Sequence, residues 1–214
     1  MDNKEMLKHV DHTQLKAFAK WESIDKLCKE AIENDCACVC IPPAYVKRVA
    51  EAYPNIKISC VVGFPLGYNT TAVKVFETKE AIKEGASEID VVINIGWAKD
   101  HLYEKITDEL KQVKEACKDV CLKVIIETCY LDEDEKIALC KCVTDTKADY
   151  IKTSTGFGSA GATLDDVKLF KQHIGEGVKI KAAGGIRTKE DIAAYLQEGV
   201  DRIGCSAAVE ALGK

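Results

Sequence analysis

Short β-branched runs alternate along this chain with helical patterns of about 10–15 residues. After a short opening helix, the pattern predicts strands over residues 10–13, 38–41, 56–64, 88–94 and 121–128. A sixth lies at the head of the stretch 148–158, and residues 178–183 and 201–204 give the seventh and eighth. Helices are predicted between them over residues 23–34, 44–52, 69–84, 103–118, 132–146, 164–173, 188–197 and 206–212. Ser23 is placed as the N-cap of the first of these, with Ile24, Leu27, Cys28 and Ile32 as its apolar stripe. Tyr53-Pro54-Asn55 stops the second, and Gly85 closes the third.

Eight strands, each followed by a helix and each apolar on both faces, predict a closed (β/α)8 TIM barrel with a short N-terminal helix. An open doubly wound sheet should carry a G-x-G-x-x-G turn after its first strand, and V-D-H-T-Q-L has none. No linker, low-complexity segment or close internal repeat divides the chain, so residues 1–214 are expected to form a single domain.

Charge narrows the function classes. Charged residues make up 30% of the chain, the net charge is -5, and neither sign forms a long run. This argues against nucleic acid as the partner. The N-terminus lacks an apolar signal region and no apolar run is long enough to span a bilayer, so a cytoplasmic protein is expected, with no membrane partner. Eleven cysteines without an export signal then read as reduced thiols that pack as small hydrophobes. Cys36, Cys38 and Cys40 alternate, so a strand would put them on one face. Neither they nor Cys140 and Cys142 have zinc-ligand spacing, and the four histidines are scattered, so no metal site is expected.

In such a barrel the reactive groups project from the C-terminal ends of the strands. Here those ends carry Asp11 and Thr13, Cys40, Gly63-Phe64, Asp90 and Asn94, Glu127 and Thr128, Lys152, Lys181, and Gly204-Cys205-Ser206. Lys152 is the centre of interest: it sits in A-D-Y-I-K-T-S-T-G-F-G, a buried strand that breaks into a small-residue loop. Taken alone, that stretch fits equally well a lysine whose amine simply reaches water. Lys181 ends the adjacent strand, and two ammonium groups held close repel each other, so that one keeps its charge while the other becomes a nucleophile. Asp90, among V-V-I neighbours, needs a cationic partner, which one of these lysines would supply. A bridge that only holds the barrel together is the competing reading, and it requires one lysine rather than two. A-A-G-G-I-R and I-G-C-S-A-A follow the seventh and eighth strands, where backbone N–H groups of Gly184, Gly185, Gly204 and Ser206 would face a phosphate.

These segments, with C-V-C-I-P-P, V-V-G-F-P-L-G and E-I-D-V-V-I-N, resemble the deoxyribose-phosphate aldolases, a class I family, over nearly the whole chain. The resemblance implies a metal-independent and cofactor-independent lyase of deoxyribonucleotide catabolism. It would split 2-deoxy-D-ribose 5-phosphate into D-glyceraldehyde 3-phosphate and acetaldehyde through a lysine Schiff base. By motif, Lys152 would be the Schiff-base lysine, Lys181 the second lysine that lowers its pKa, and Asp90 the carboxylate of the proton relay. Thr155, Gly156, Gly184, Gly185, Gly204 and Ser206 would bind substrate and phosphate, and Asp11, Thr13 and Cys40 would line the pocket. A homo-oligomer, dimer or tetramer, is implied as well.

The chain departs from the family twice. Phe157 stands where some members carry a phosphate-contacting lysine, which shifts that task to backbone amides and Arg187. The sequence ends at Leu212-Gly213-Lys214 without the terminal tyrosine of many members, so that arm of the relay would be absent or replaced by water. Two other readings stay open on the residues: a pyridoxal-phosphate enzyme, which also joins a lysine to a glycine phosphate cup, and a sugar-phosphate-binding protein without catalysis.

Overall fold

Every predicted β-branched run forms a strand in the computed structural model, which describes residues 1–213. The strands are β1 (Val10–Thr13), β2 (Cys38–Ile41), β3 (Ile58–Val62), β4 (Glu88–Val92), β5 (Cys121–Ile125), β6 (Tyr150–Lys152), β7 (Lys179–Ala183) and β8 (Arg202–Cys205). They pair in chain order and close into a barrel, with β1 parallel to both β2 and β8. The predicted (β/α)8 architecture is therefore the observed one.

Around the barrel run α1 (Asn3–Leu7), α2 (Trp21–Glu33), α3 (Val46–Ala52), α4 (Thr71–Lys83) and α5 (Ile95–Lys99). They are followed by α6 (Tyr103–Cys117), α7 (Glu133–Thr146), α8 (Leu164–His173), α9 (Lys189–Gln197) and α10 (Ala208–Leu212). Among the described residues no helix is long and apolar enough to cross a membrane. Side-chain caps fix several starts: Asp132 and Thr188 each form a capping box, with Glu135 and Asp191 respectively. Gly85 follows α4 at φ 114°, and a Cβ there would sit 2.6 Å from the Cβ of Ala50, so only glycine lets the chain pass.

Three expectations change. Helix α2 begins two residues before Ser23, whose hydroxyl donates to the Lys20 carbonyl instead of capping, and Ala31 rather than exposed Ile32 completes the buried stripe. Asn94 does not continue β4; its side chain accepts from the Trp97 amide and starts α5, a helix the apolar run had hidden. Most important, the strands are not apolar on both faces.

Their outward residues are, with the exception of His12 on β1, which pairs with Glu30 of α2. Val10, Val39, Ile41, Ile58, Val62, Ile89, Val91, Leu122, Val124, Ile151, Ile180 and Ile203 pack with the helices into one continuous core. The inward positions, alternating with these, hold Asp11, Ser59, Asp90, Lys123, Lys152 and Lys181, all buried. Branched apolar layers usually fill such a barrel. In this one the stabilising hydrophobic burial lies mainly between barrel and helices, and inside it the charged side chains share the space with Cys38, Cys40, Val61, Val92 and Ile125.

Candidate active site

Strand register builds the centre. Lys152 and Lys181 are direct partners across β6 and β7, Lys181 is level with Arg202 on β8, and Asp90 is level with Lys123 on β5. These side chains converge on three carboxylates. Asp90 Oδ2 accepts from both Lys152 and Lys181 at 2.7 Å, while its Oδ1 accepts from Lys123 and from Ser59 Oγ, each at 2.8 Å. Lys123 also pairs with Glu88 and lies 3.7 Å from Asp11. Lys181 pairs with Asp11, and Arg202 contacts Asp11 at 2.5 Å and Glu88 at 3.2 Å. The carboxylates come from β1 and β4, and the four cations from β5, β6, β7 and β8.

Electrostatics then separates the lysines. Burial works against an ammonium on each. For Lys181, Asp11 and Asp90 outweigh that penalty and raise its pKa above the ordinary value, and for Lys123, Asp90 and Asp11 do the same. Lys152 goes the other way: burial lowers its pKa, Asp90 opposes this, and the nearby charge of Lys181 lowers it further. Asp90 is held well below the usual carboxylate range, because Lys123, Lys152 and Lys181 together overcome its desolvation. One amine is thus the easiest to deprotonate, and it is the one that meets a cleft.

That cleft, about 280 Å³, opens at the C-terminal end of the barrel. It is lined by Lys152, Thr155, Gly156, Phe157, Thr13, Gly184, Gly185, Arg187, Gly204 and Ser206, together with Lys16. Gly184, at φ 85°, lies against Gly161, whose Cα would be 3.0 Å from an added Cβ; the two backbones touch where the cup forms. Thr155 keeps its hydroxyl for Glu127, which accepts from both its Oγ1 and, at 3.1 Å, its amide. Phe157 packs edge-on against Phe64, with ring centroids 5.3 Å apart, at the rim.

The structure moves two predicted site residues. Asp11 is fully buried beneath the cleft with its carboxylate taken by Lys181 and Arg202, and it does not line the pocket. Cys40 is buried beside the lysine layer rather than in the cleft wall, and burial raises its thiol pKa, which weakens it as a nucleophile. Cys36 precedes β2, so only Cys38 and Cys40 share its inner face. The competing reading, a bridge that only holds the barrel together, called for one lysine, and here Lys123, Lys152 and Lys181 all bond to Asp90.

Sequence reasoning missed Lys123, Glu88, Arg202, Ser59 and Lys16, and it placed Glu127 at a strand end without giving it a role. It inspected strand ends, whereas Lys123 lies mid-strand. The available signal was period two: Glu88 and Asp90, two apart in E-I-D, must share a face, and Lys123 in C-L-K-V-I sits inward by the same alternation. Asp11, Cys38 and Glu88 also lie within metal-ligand distance of one another, but Arg202 already makes the contacts a cation would make there.

Comparisons with known proteins agree with the barrel fold. A family model described as DeoC/LacD family aldolase matches residues 1–209. A deoxyribose-phosphate aldolase of Clostridium botulinum is 58% identical over 98% of this chain and 95% of its own length. One from Clostridioides difficile is 55% identical over 95% of this chain and 94% of its own. The solved tetrameric deoxyribose phosphate aldolase of Aeropyrum pernix superposes with a TM-score of 0.92 at 29% identity, covering 99% of this chain and 91% of that one.

Proposed function

The chain belongs to the DeoC/LacD aldolase family, and on that premise we propose that it is a deoxyribose-phosphate aldolase, a lyase with Lys152 as its Schiff-base residue. The observation that carries the reading is that Lys152 alone joins the ion cluster to the cleft: it is 3% exposed, while Asp90, Lys123 and Lys181 are 0%.

The neutral amine of Lys152 adds to the aldehyde carbon of 2-deoxy-D-ribose 5-phosphate, and loss of water leaves a protonated imine. Acetaldehyde contains the first two carbons of the sugar, so the bond that breaks joins the second and third. Its electron pair flows into the imine nitrogen as an enamine, while the third-carbon hydroxyl loses its proton and becomes the aldehyde of D-glyceraldehyde 3-phosphate. Protonation of the enamine and hydrolysis of the imine then release acetaldehyde and restore Lys152. Asp90 and Lys181, sharing Oδ2 with Lys152, are the groups placed to move these protons, with water. The phosphate would rest on the backbone of Gly184, Gly185, Gly204 and Ser206, between Arg187 and Lys16, which compensate for Phe157. Thr13, Thr155 and Gly156 would shape the sugar site.

The reading includes a homo-oligomer, dimer or tetramer; the Aeropyrum pernix relative is tetrameric. It also includes a cytoplasmic location, which eleven free cysteines support. Cleavage should be followed by coupling product to enzymatic reduction of glyceraldehyde 3-phosphate. Activity is expected, Lys152→Leu should abolish it, and Lys181→Leu should leave a folded protein with little turnover. Full activity in Lys152→Leu would overturn the assignment.

A further inference from the structure

The cluster holds more cations than carboxylates. Asp11, Glu88 and Asp90 face Lys123, Lys152, Lys181 and Arg202, so three negative charges meet four positive ones. An uncompensated charge at such depth is costly, and the cluster balances when one amine is neutral. Contact geometry identifies which. Lys123 lies within 4 Å of three carboxylates, and Lys181 and Arg202 each contact two. Lys152 reaches only Asp90, and shares that oxygen with Lys181.

Lys123 governs this sharing without approaching the cleft. It occupies Asp90 Oδ1 together with Ser59, which turns Oδ2 toward the two other lysines. We propose that Lys123 is a positioning residue, which with Glu88 sets the charge balance of the barrel interior and through Asp90 the ease with which Lys152 gives up its proton. The inference rests on Lys152 being the imine-forming amine. The groups that face Lys152 are Asp90 from β4, Lys181 from β7, Cys40 from β2 and Glu127 from the end of β5. Lys123 and Glu88 contact Lys152 only through this set, and Glu127 is engaged by Thr155 and pairs with none of the four cations.

The test reads imine formation directly. Acetaldehyde and cyanoborohydride are added to the intact protein across a pH series; the Lys152 amine adds to the carbonyl, water leaves, and hydride from the borane reduces the C=N bond to an ethylated lysine, located by peptide mass. Removing a cation in Lys123→Met should raise the pH midpoint of labelling by about one unit, a roughly tenfold slower labelling below it. Removing an anion in Glu88→Gln should lower the midpoint. The double variant restores the balance and should return near the wild-type midpoint. Should Lys123→Met fail to fold, Arg202→Met, which removes a cation touching only Asp11 and Glu88 among the carboxylates, takes its place and should also raise it.

Lost packing alone would reduce amplitude or stability, without opposed midpoint shifts. Midpoints that stay put, or move in one direction in both single variants, overturn the proposal while leaving the aldolase reading intact. No adduct on Lys152 in the wild type overturns both.

Discussion

Glu127 occupies left-handed backbone, at φ 55° and ψ 66°, two residues beyond the end of β5. A non-glycine residue there costs about 1–3 kcal/mol, so its side chain must compensate. It does so by accepting from the Thr155 amide and hydroxyl, while Thr155 Oγ1 accepts in turn from the Phe157 amide at 3.0 Å. The carboxylate thereby clasps the loop that begins beside Lys152. Burial raises its pKa above the ordinary value, with the Thr155 bonds opposing. A carboxyl whose folded pKa lies above the unfolded one, about 4.3, contributes stability that is full below 4.3 and lost as pH rises through the folded value. Glu127→Gln, which resembles the protonated state, should therefore gain relative to the wild type between pH 4 and pH 7 in urea denaturation. Glu127→Ala should lose about 1–3 kcal/mol, because it strands two buried donors. An equal difference between Gln variant and wild type at both pH values would show that the carboxyl keeps its ordinary affinity for protons. At this scale sequence reading expected a lysine partner for Asp90, and Lys152 is one of those that bond to it. The reading failed for Cys40 and Asp11, because how deep along a strand a side chain sits depends on register, which only the assembled barrel fixes.

Helices α4 and α6 are joined to the barrel by a second buried ion pair. Lys74 reaches Glu109 at 2.5 Å and the Val92 carbonyl at 2.8 Å, and both side chains are fully buried. Thr71 Oγ1 donates to Glu109 at 3.0 Å. The pair connects one helix start, the facing helix and the end of β4, the strand that carries Asp90. Removing one member leaves the other charged and dry, so Glu109→Ala should cost about 3–5 kcal/mol by urea denaturation. Replacing both, in Lys74→Met with Glu109→Leu, should recover most of that loss; a double variant as weak as the single one would mean that the charges themselves are needed. None of this was visible in the helical pattern, since T-A-V-K-V-F-E-T-K-E places its lysines where solvent was the natural expectation. The one cap named from the sequence, Ser23, falls inside α2, whereas Asp132 and Thr188 cap helices that were expected to begin at those residues. Asn94 follows a strand and begins a helix, and the five-residue α5 is too short to display a period.

At the scale of the molecule, alternation of strand and helix made the barrel legible, because outward strand positions and inward helix stripes must find one another. The interior was not legible by the same rule, since a rule built on apolar runs passes over Glu88, Lys123 and Arg202 inside them. We infer that the whole chain folds as one domain, and the distribution of charge carries a reason. The strands β1 to β4 supply every carboxylate of the cluster and β5 to β8 every cation. Cut in the turn between Cys117 and Cys121, the chain gives one fragment with like negative charges converging and another with like positive ones. Neither should show cooperative unfolding alone by circular dichroism, and the mixture should recover it, less readily in high salt; a cooperative transition in either fragment by itself would contradict this. For a chain made from its N-terminus, the three interior carboxylates emerge before any of the cations that pair with them in the finished barrel exists. Closure of the ring is then a neutralisation as much as a hydrophobic collapse, and it waits for the final strands.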